Sequence, residues 1–404
     1  MNAVEMRGIT KRFGPVVAND GIDLTLHAGE ILALLGENGA GKTTLMNILY
    51  GLCPCDNGEI YVRGKRARIR GARDALALKI GMVHQHFMLI ARFTVAENVV
   101  LGAELSERFW FDDREAIRRT AHLARRYGFD IDPTARVWDL SVGVRQRVEI
   151  LKALHRGAEV LILDEPTSVL TPQESERLFD TLRAFRDEGK AVVFITHKLP
   201  DVMAISDRVS ILRAGRLVGT VATAETDAGQ LARMMVGRDP AVFLGVDGRA
   251  PAPPGRVLLR IEGLSVRGNR GALAVRDLHL ECRAGEIVGV AGVEGNGQME
   301  LVQALRGLRR VERGRITANG RNLTNRHPRE INACGCCHIA EDRQLRGLMM
   351  SDSLQRNLVL GLHRRSPFAH GPFLNHGAIR RHARRLMRDF DIRAPGPETP
   401  VRHL

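Results

Sequence analysis

The chain repeats itself. Ala28-Gly-Glu-Ile recurs as Ala284-Gly-Glu-Ile 256 residues later, and Gly51-Leu52 recurs as Gly307-Leu308 at the same distance. Asn98-Val-Val-Leu-Gly returns as Asn357-Leu-Val-Leu-Gly at 259 residues, and Val137 to Leu140 align with Val401 to Leu404 at 264. A slowly growing offset is what loop insertions produce, so two copies of one unit are expected rather than one large core. The repeat also sets the domain plan: 1–237, then 257–404, with 238–256 between them as a semi-rigid linker carrying four prolines and three glycines.

Each copy opens with short strands and then runs an apolar segment, ILALL or IVGVA, into a glycine-rich turn and a helix. Later in the first copy EVLILD, a helix over 172–187 and AVVFIT alternate. Short β-branched runs alternating with helices predict a parallel sheet covered on both faces, an α/β fold. DREAIRRTAHLARRYGFDI in the first copy matches HGAIRRHARRLMRDFDI in the second. There Ile379, Ala383, Leu386 and Phe390, or Ile117, Ala121, Ala124 and Gly128, make the expected inner stripe of an amphipathic helix.

No stretch reaches the roughly 18–20 consecutive apolar residues of a membrane helix, and the first residues lack the apolar core of a secretion signal. The expectation is a cytosolic chain whose membrane role, if any, comes through partners. Net charge is +14, and only seven of the 60 basic residues are lysines. This arginine-rich balance reads first as solvated surface, with a functional basic patch as the alternative. CGCCH at 334–338 has the spacing of a haem-attachment site, but covalent haem attachment belongs to exported proteins, and no second ligand pair follows at a zinc-like spacing.

The first glycine turn is chemically specific. Gly36-Glu37-Asn38-Gly39-Ala40-Gly41-Lys42-Thr43, followed by Thr44, fits G-x-x-x-x-G-K-[ST] between a strand and a helix. Backbone N–H groups of such a turn curl around phosphate oxygens, and the helix start adds its positive dipole end. Lys42 is expected to reach the outer phosphates and the Thr43 hydroxyl to hold magnesium. Asp164-Glu165 closes an apolar strand; Asp164 is expected to join the metal and Glu165 to act as general base toward the attacking water.

With these residues in view, the chain resembles the ABC transporter ATPases. Leu140-Ser141-Val142-Gly143-Val144-Arg145-Gln146 resembles the family signature LSGGQ, with Val142 in place of its first glycine. Gln85 looks like the glutamine that senses magnesium and the membrane partner. Ser168-Val-Leu-Thr171 looks like the D-loop, His197 like the histidine at the γ-phosphate, and Phe13 like the aromatic that stacks on adenine. The resemblance implies a P-loop NTPase: a parallel core sheet, an antiparallel β-subdomain and a helical subdomain, tandemly repeated with the second copy incomplete. It implies ATP and Mg as cofactors, with Ser141 and Gly143 of one domain closing over the nucleotide held by another.

Tandem domains resemble importers of simple sugars and nucleosides. The implied partners are transmembrane permease subunits and an extracytoplasmic solute-binding protein, at the cytoplasmic face of the membrane, with a self-dimer through domain one as a further expectation and no nucleic acid. Two other readings stay open: a tandem ABC protein of the ribosome or nucleic acid, and an ATP-binding fragment without hydrolysis. In the second copy Gln298 replaces Lys42, Met299 replaces Thr43 and Glu341 replaces Gln85, so weak ATP binding and no hydrolysis are expected there. Leu404 aligns with Leu140, one residue before a second signature, and a frameshift, split gene or partial sequence is the expected cause.

Overall fold

The computed structural model describes residues 1–14, 16–84, 87–103, 112–168, 170–237, 255–269, 271–292, 295–341 and 343–404. The chain divides into two compact units, Met1–Asp247 and Gly248–Leu404. Of the linker expected at 238–256, residues 238–254 lie outside the described residues.

The first unit holds two sheets. β1 (Asn2–Phe13), β2 (Val16–His27), β4 (Asn57–Val62) and β5 (Lys65–Ala67) form an antiparallel sheet in the order β2-β1-β4-β5. Its inner residues include Val4, Met6, Ile22, Leu24 and Leu26, close to the every-second-residue spacing a strand requires. The second sheet is built from β3 (Ile31–Leu35), β6 (Ile80–Val83), β7 (Val160–Asp164), β8 (Ala191–Thr196), β9 (Arg208–Arg213) and β10 (Arg216–Ala222). Its order is β10-β9-β3-β8-β7-β6, with every pairing parallel except β9 with β10.

Every residue of β3, β6, β7 and β8 is buried. Alternate residues feed two cores. Leu32, Leu34, Ile162 and Val193 pack with α1 (Lys42–Leu49) and the antiparallel sheet; Ile31, Leu161, Leu163, Val192 and Phe194 pack with α5 (Val142–His155) and α6 (Pro172–Asp187). The continuous apolar runs of the sequence are therefore strands covered on both faces. The helix expected at 172–187 has those bounds: Thr171 accepts from Glu174 N, the Glu174 carboxylate accepts from Thr171 N, and Pro172 takes the first turn, where its missing N–H costs nothing. Between α1 and α3 comes α2 (Ala72–Ala77), and α3 (Val95–Val100), α4 (Asp113–Arg126) and α5 form a helical layer. α7 (Leu199–Ile205) and α8 (Ala228–Val236) cover the β9 side.

The second unit repeats part of this plan. β11 (Val257–Arg267), β12 (Leu273–Arg283), β13 (Val311–Ala318) and β14 (Arg321–Asn322) pair in the order β12-β11-β13-β14, the same order as the first antiparallel sheet. α9 (Gln298–Leu305) starts at Gly297, whose φ of 98° matches the 97° of Gly41 at the start of α1. Only glycine suits either position: a Cβ would lie 2.2 Å from Ala18 O at Gly41 and 2.5 Å from Ala274 O at Gly297. α10 (Pro328–Ala333), α11 (Leu354–Leu358), the β15–β16 hairpin (Ala369–His370 and Phe373–Leu374) and α12 (His376–Asp389) follow.

Two expectations need correction. IVGVA, read as a strand, is not one: no strand is formed over 286–292, Ile287 is 98% exposed and Val290 56%. Its counterpart β3 lies between β8 and β9; among the described residues of the second unit no strand flanks 286–292, and a strand exists only through its ladder partners. The inner stripe of the amphipathic helix holds at Ala124, Ile379 and Ala383 and is turned at its other positions. In α4 the buried residues are Ala116, Thr120 and Ala124, followed by Tyr127, while Gly128 is exposed; in α12 they are Ala378, Ile379 and Ala383, while Phe390, at the C-cap, is 73% exposed. A helical side chain leans toward the N-terminus, so counting positions alone misplaces the covered face by about one residue.

Candidate active site

β3 delivers the chain into the glycine turn from the middle of its sheet. Gly36 is buried, and a Cβ there would lie 2.4 Å from Leu212 O of β9, so the turn hugs the strand ends. β2 presses from the other side: the buried Asn19 donates through Nδ2 to Gly41 O at 3.1 Å. α1 has no side-chain cap. Its first N–H groups therefore face the turn, where an anion can accept from them.

Lys42 is 6% exposed, and its ammonium donates to Gly36 O at 2.8 Å and Glu37 O at 2.9 Å. Burial pulls this ammonium below the ordinary lysine value, while Glu165, Asp164 and Glu37 oppose that pull. Two of these, Asp164 and Glu165, place the end of β7 beside the turn. Asp164 is 4% exposed and accepts from the Thr43 hydroxyl. Burial pushes its carboxyl above the usual carboxylate value; the Thr43 bond lowers it, Glu165 raises it further and Lys42 lowers it. Among the described residues Asp164 Oδ1 is buried without a hydrogen-bond partner. An orphaned carboxylate oxygen next to a threonine hydroxyl is a hard-oxygen donor set of the kind magnesium takes, so these residues fit that ion.

Glu165 turns away from the strand at φ 48°, a left-handed conformation uncommon for a residue with a side chain. Its backbone is held at both ends: its N–H donates to Ile195 O at 3.0 Å, and its O accepts from Ser168 Oγ at 2.9 Å. His197, just past β8, places Nδ1 3.0 Å from Glu165 Oε1. An ionised carboxylate only accepts, so toward it Nδ1 is the donor of that bond. Lys42, Thr43, Asp164, Glu165 and His197 thus gather at the ends of three adjacent strands, the edge where open α/β sheets bind ligands.

The other expected residues divide. Glu37, Asn38 and Gly39 are exposed along the turn, Ala40 is buried beneath it, and Thr44 lies in the first turn of α1. Phe13 ends β1, 49% exposed, with the Lys11 ammonium 5.4 Å from its ring centre; Lys11 is fixed by Asp56 at 2.9 Å. β2, which pairs with β1 and touches Gly41, brings that hairpin to the turn. Ser141 and Gly143 start α5, with Ser141 Oγ accepting from Val144 N at 3.4 Å. Among the described residues no hydrogen bond joins them to 36–44. A Cβ on Gly143 would lie 2.2 Å from Glu174 Oε1. Since Glu174 also caps Thr171, the signature-like segment and the 168–171 segment share one side of the unit. Gln85 lies outside the described residues.

Sequence reading missed four supports: Asn19, described above, and three others. Asn98 brackets the chain before α3, accepting from Ile90 N at 2.8 Å and donating to Ile90 O and Thr94 O. Asn357 makes the same set in the second unit, with Met349 N, Met349 O and Ser353 O. The buried Glu149 accepts from Met88 N while Lys152 donates to Met88 O at 3.0 Å, clamping the chain just beyond Gln85. Asn98 and Asn357 could have been found, because the repeat itself aligns them; Asn19 and the Met88 clamp depend on contacts far along the chain.

The second helix start keeps its left-handed glycine, Gly297, without the ammonium and hydroxyl of the first. Gln298 takes the place of Lys42, and Arg346 Nη1 lies 3.5 Å from the sulfur of Met299, which takes the place of Thr43.

Comparison with known proteins agrees with this geometry. The family described as ABC transporter matches residues 19–168. The nucleoside import ATP-binding protein NupA of Lactococcus lactis is 45% identical over 97% of this chain and 77% of its own length. A glucose import ATP-binding protein of Haloferax volcanii is 47% identical, covering 96% and 76%. The ribose import ATP-binding protein RbsA 1 of Rubrobacter xylanophilus is 45% identical, covering 99% and 78%. Among solved structures, a nucleotide-free ATP-binding cassette superposes on 60% of this chain and 98% of its own, with a TM-score of 0.53 at 21% identity, a likeness of fold. A P-loop pocket with its acidic strand end, set in a chain this similar to import ATP-binding proteins, makes the molecule a member of the ABC transporter ATPases.

Proposed function

We propose that this chain is the ATP-binding and hydrolysing subunit of an importer for a simple sugar or a nucleoside. It works at the cytoplasmic face of the membrane with transmembrane permease subunits and an extracytoplasmic solute-binding protein. The printed names of the relatives support the solute class, and the gathering of Lys42, Thr43, Asp164 and Glu165 in one pocket carries the enzymatic half.

In this reading the N–H groups of 36–43 wrap the triphosphate, Lys42 leaves its loop carbonyls for the outer phosphates, and Phe13 stacks on the adenine. Thr43 and Asp164, with Gln85, would hold magnesium, whose charge offsets that of the β- and γ-phosphates. Glu165 takes a proton from the attacking water, and His197 orients that carboxylate while facing the γ-phosphate. Phosphoryl transfer asks mainly for such positioning and charge stabilisation. Ser141 and Gly143 face the nucleotide of a second domain, which a self-dimer through the first unit supplies. The second unit, with Gln298 and Met299, hydrolyses no ATP by itself.

The test is ATP binding by equilibrium dialysis and turnover with and without the permease. Lys42→Ala is expected to abolish binding, and Glu165→Gln to keep binding while stopping turnover. Undiminished binding by Lys42→Ala would overturn the reading. Sedimentation of Glu165→Gln with ATP addresses the self-dimer, which a strict monomer excludes.

A further inference from the structure

The left-handed turn at Glu165 needs an anchor, because a residue with a side chain holds that conformation only where its surroundings enforce it. The Glu165 N–H is fixed to β8 through Ile195 O. The bond from Ser168 Oγ to Glu165 O lies within the turn and ties it to nothing outside. The far end is held at Thr167, which is 2% exposed. Both of its oxygens are engaged by the segment that follows β8: its hydroxyl donates to Asp201 Oδ2, and its carbonyl accepts from Lys198 Nζ at 2.7 Å.

Lys198 follows His197 in the chain and is the N-cap residue of α7, with Asp201 in the first turn. The Lys198 N–H donates to the buried Thr196 Oγ1 at 3.0 Å, and its O accepts from Val202 N at 3.2 Å. Val202 is fully buried in one core with Ala33 and Leu35 of β3. The ammonium and the carboxylate that grip Thr167 are thus mounted on an element seated against the sheet. Glu165 and His197 are thereby joined twice: directly, through Nδ1 and Oε1 at 3.0 Å, and again through their chain neighbours.

We propose that Lys198 and Asp201 are positioning residues for ATP hydrolysis: their grip on Thr167 sets the Glu165 carboxylate toward the attacking water and in register with His197. The proposal rests on the ATPase reading of the site. Both residues act through Thr167 rather than on the nucleotide. A buried hydroxyl by itself asks for one partner. Here a charged acceptor and a charged donor from one helix start converge on a single residue, two places beyond Glu165, and hydrogen bonds to charged groups are the strong ones.

The experiment measures ATP affinity, steady-state hydrolysis and amide exchange on the full chain, unaltered and as Asp201→Ala, Asp201→Asn and Lys198→Met. A small misplacement at a reacting centre costs on the order of 100-fold, so Asp201→Ala and Lys198→Met are each expected to lower kcat about 10- to 100-fold. Only positioning is lost, so KM and ATP affinity should stay within about twofold. Asp201→Asn, whose amide oxygen still accepts from Thr167, should keep kcat within about threefold. Exchange over 165–168 should quicken in the two damaging variants while 160–163 stay protected. An unchanged kcat in either of them overturns the proposal, as does a loss that Asp201→Asn shares in full. A fall in ATP affinity as large as the fall in kcat, or exchange that stays slow over 165–168, also overturns it. Absent turnover in the unaltered chain defeats the ATPase reading itself; normal turnover there with undiminished kcat in the variants defeats the Thr167 grip alone.

Discussion

Ile31 and Ile287 stand at the same place in the repeat, each closing an Ala-Gly-Glu-Ile run, yet one is fully buried and the other 98% exposed. Val83 and Ile339 differ in the same way, at 2% and 87%. The antiparallel sheets, by contrast, agree in strand order, and the helix starts at Gly41 and Gly297 agree in φ within a degree. Local elements that carry their own pairing partners form twice from the same pattern. A central parallel strand does not, because its hydrogen bonds and both its apolar faces come from segments far along the chain.

The largest effect expected separates the two turns chemically. Lys42→Ala should lower ATP turnover by about three orders of magnitude or more, given that one charge-stabilising group is commonly worth ~10²–10³ in rate and binding is lost as well. Gln298→Ala should leave turnover unchanged, and a comparable loss there would break the distinction. Next comes the strand itself: Ile31→Ala should cost about 2–5 kcal/mol in denaturant unfolding of the first unit, while Ile287→Ala should stay within about 0.5 kcal/mol. Amide exchange sharpens this, with 31–35 protected and 287–291 open.

A smaller effect tests the acidic strand end. Burial raises the Asp164 carboxyl above 3.8, so its ionised form opposes folding. The unfolded chain releases this proton first as pH rises, so the native state loses stability through that rise. Without nucleotide or magnesium, Asp164→Asn should therefore raise the melting temperature at neutral pH. That gain should shrink as pH falls toward 3.8, and the variant should lose magnesium-dependent turnover. An unchanged melting temperature at every pH would show that the buried charge is compensated. The smallest effect concerns the paired helices: Glu115→Ala should lower the stability of α4 only slightly by removing its pairs with Arg118 and Arg119, and 1 M salt should erase that difference.

Much of the site was legible because its residues sit next to one another in the sequence. Gly36 to Thr43 follow an apolar strand and begin a helix, and Asp164-Glu165 end another; both patterns are local. What the sequence could not disclose was set by distant contacts: Leu212 O behind Gly36, Ala18 O behind Gly41 and Glu174 behind Gly143. The strand at 287–291 was misread for the same reason, since ILALL and IVGVA have the same apolar character and differ only in what lies beside them.

Asn98 and Asn357 make matching sets of three hydrogen bonds in halves of the molecule that differ in their phosphate-loop chemistry. The half that gave up its ammonium and its hydroxyl kept its carboxamide brace. That brace touches no phosphate-binding residue: it fixes the start of a short helix to the segment that precedes it.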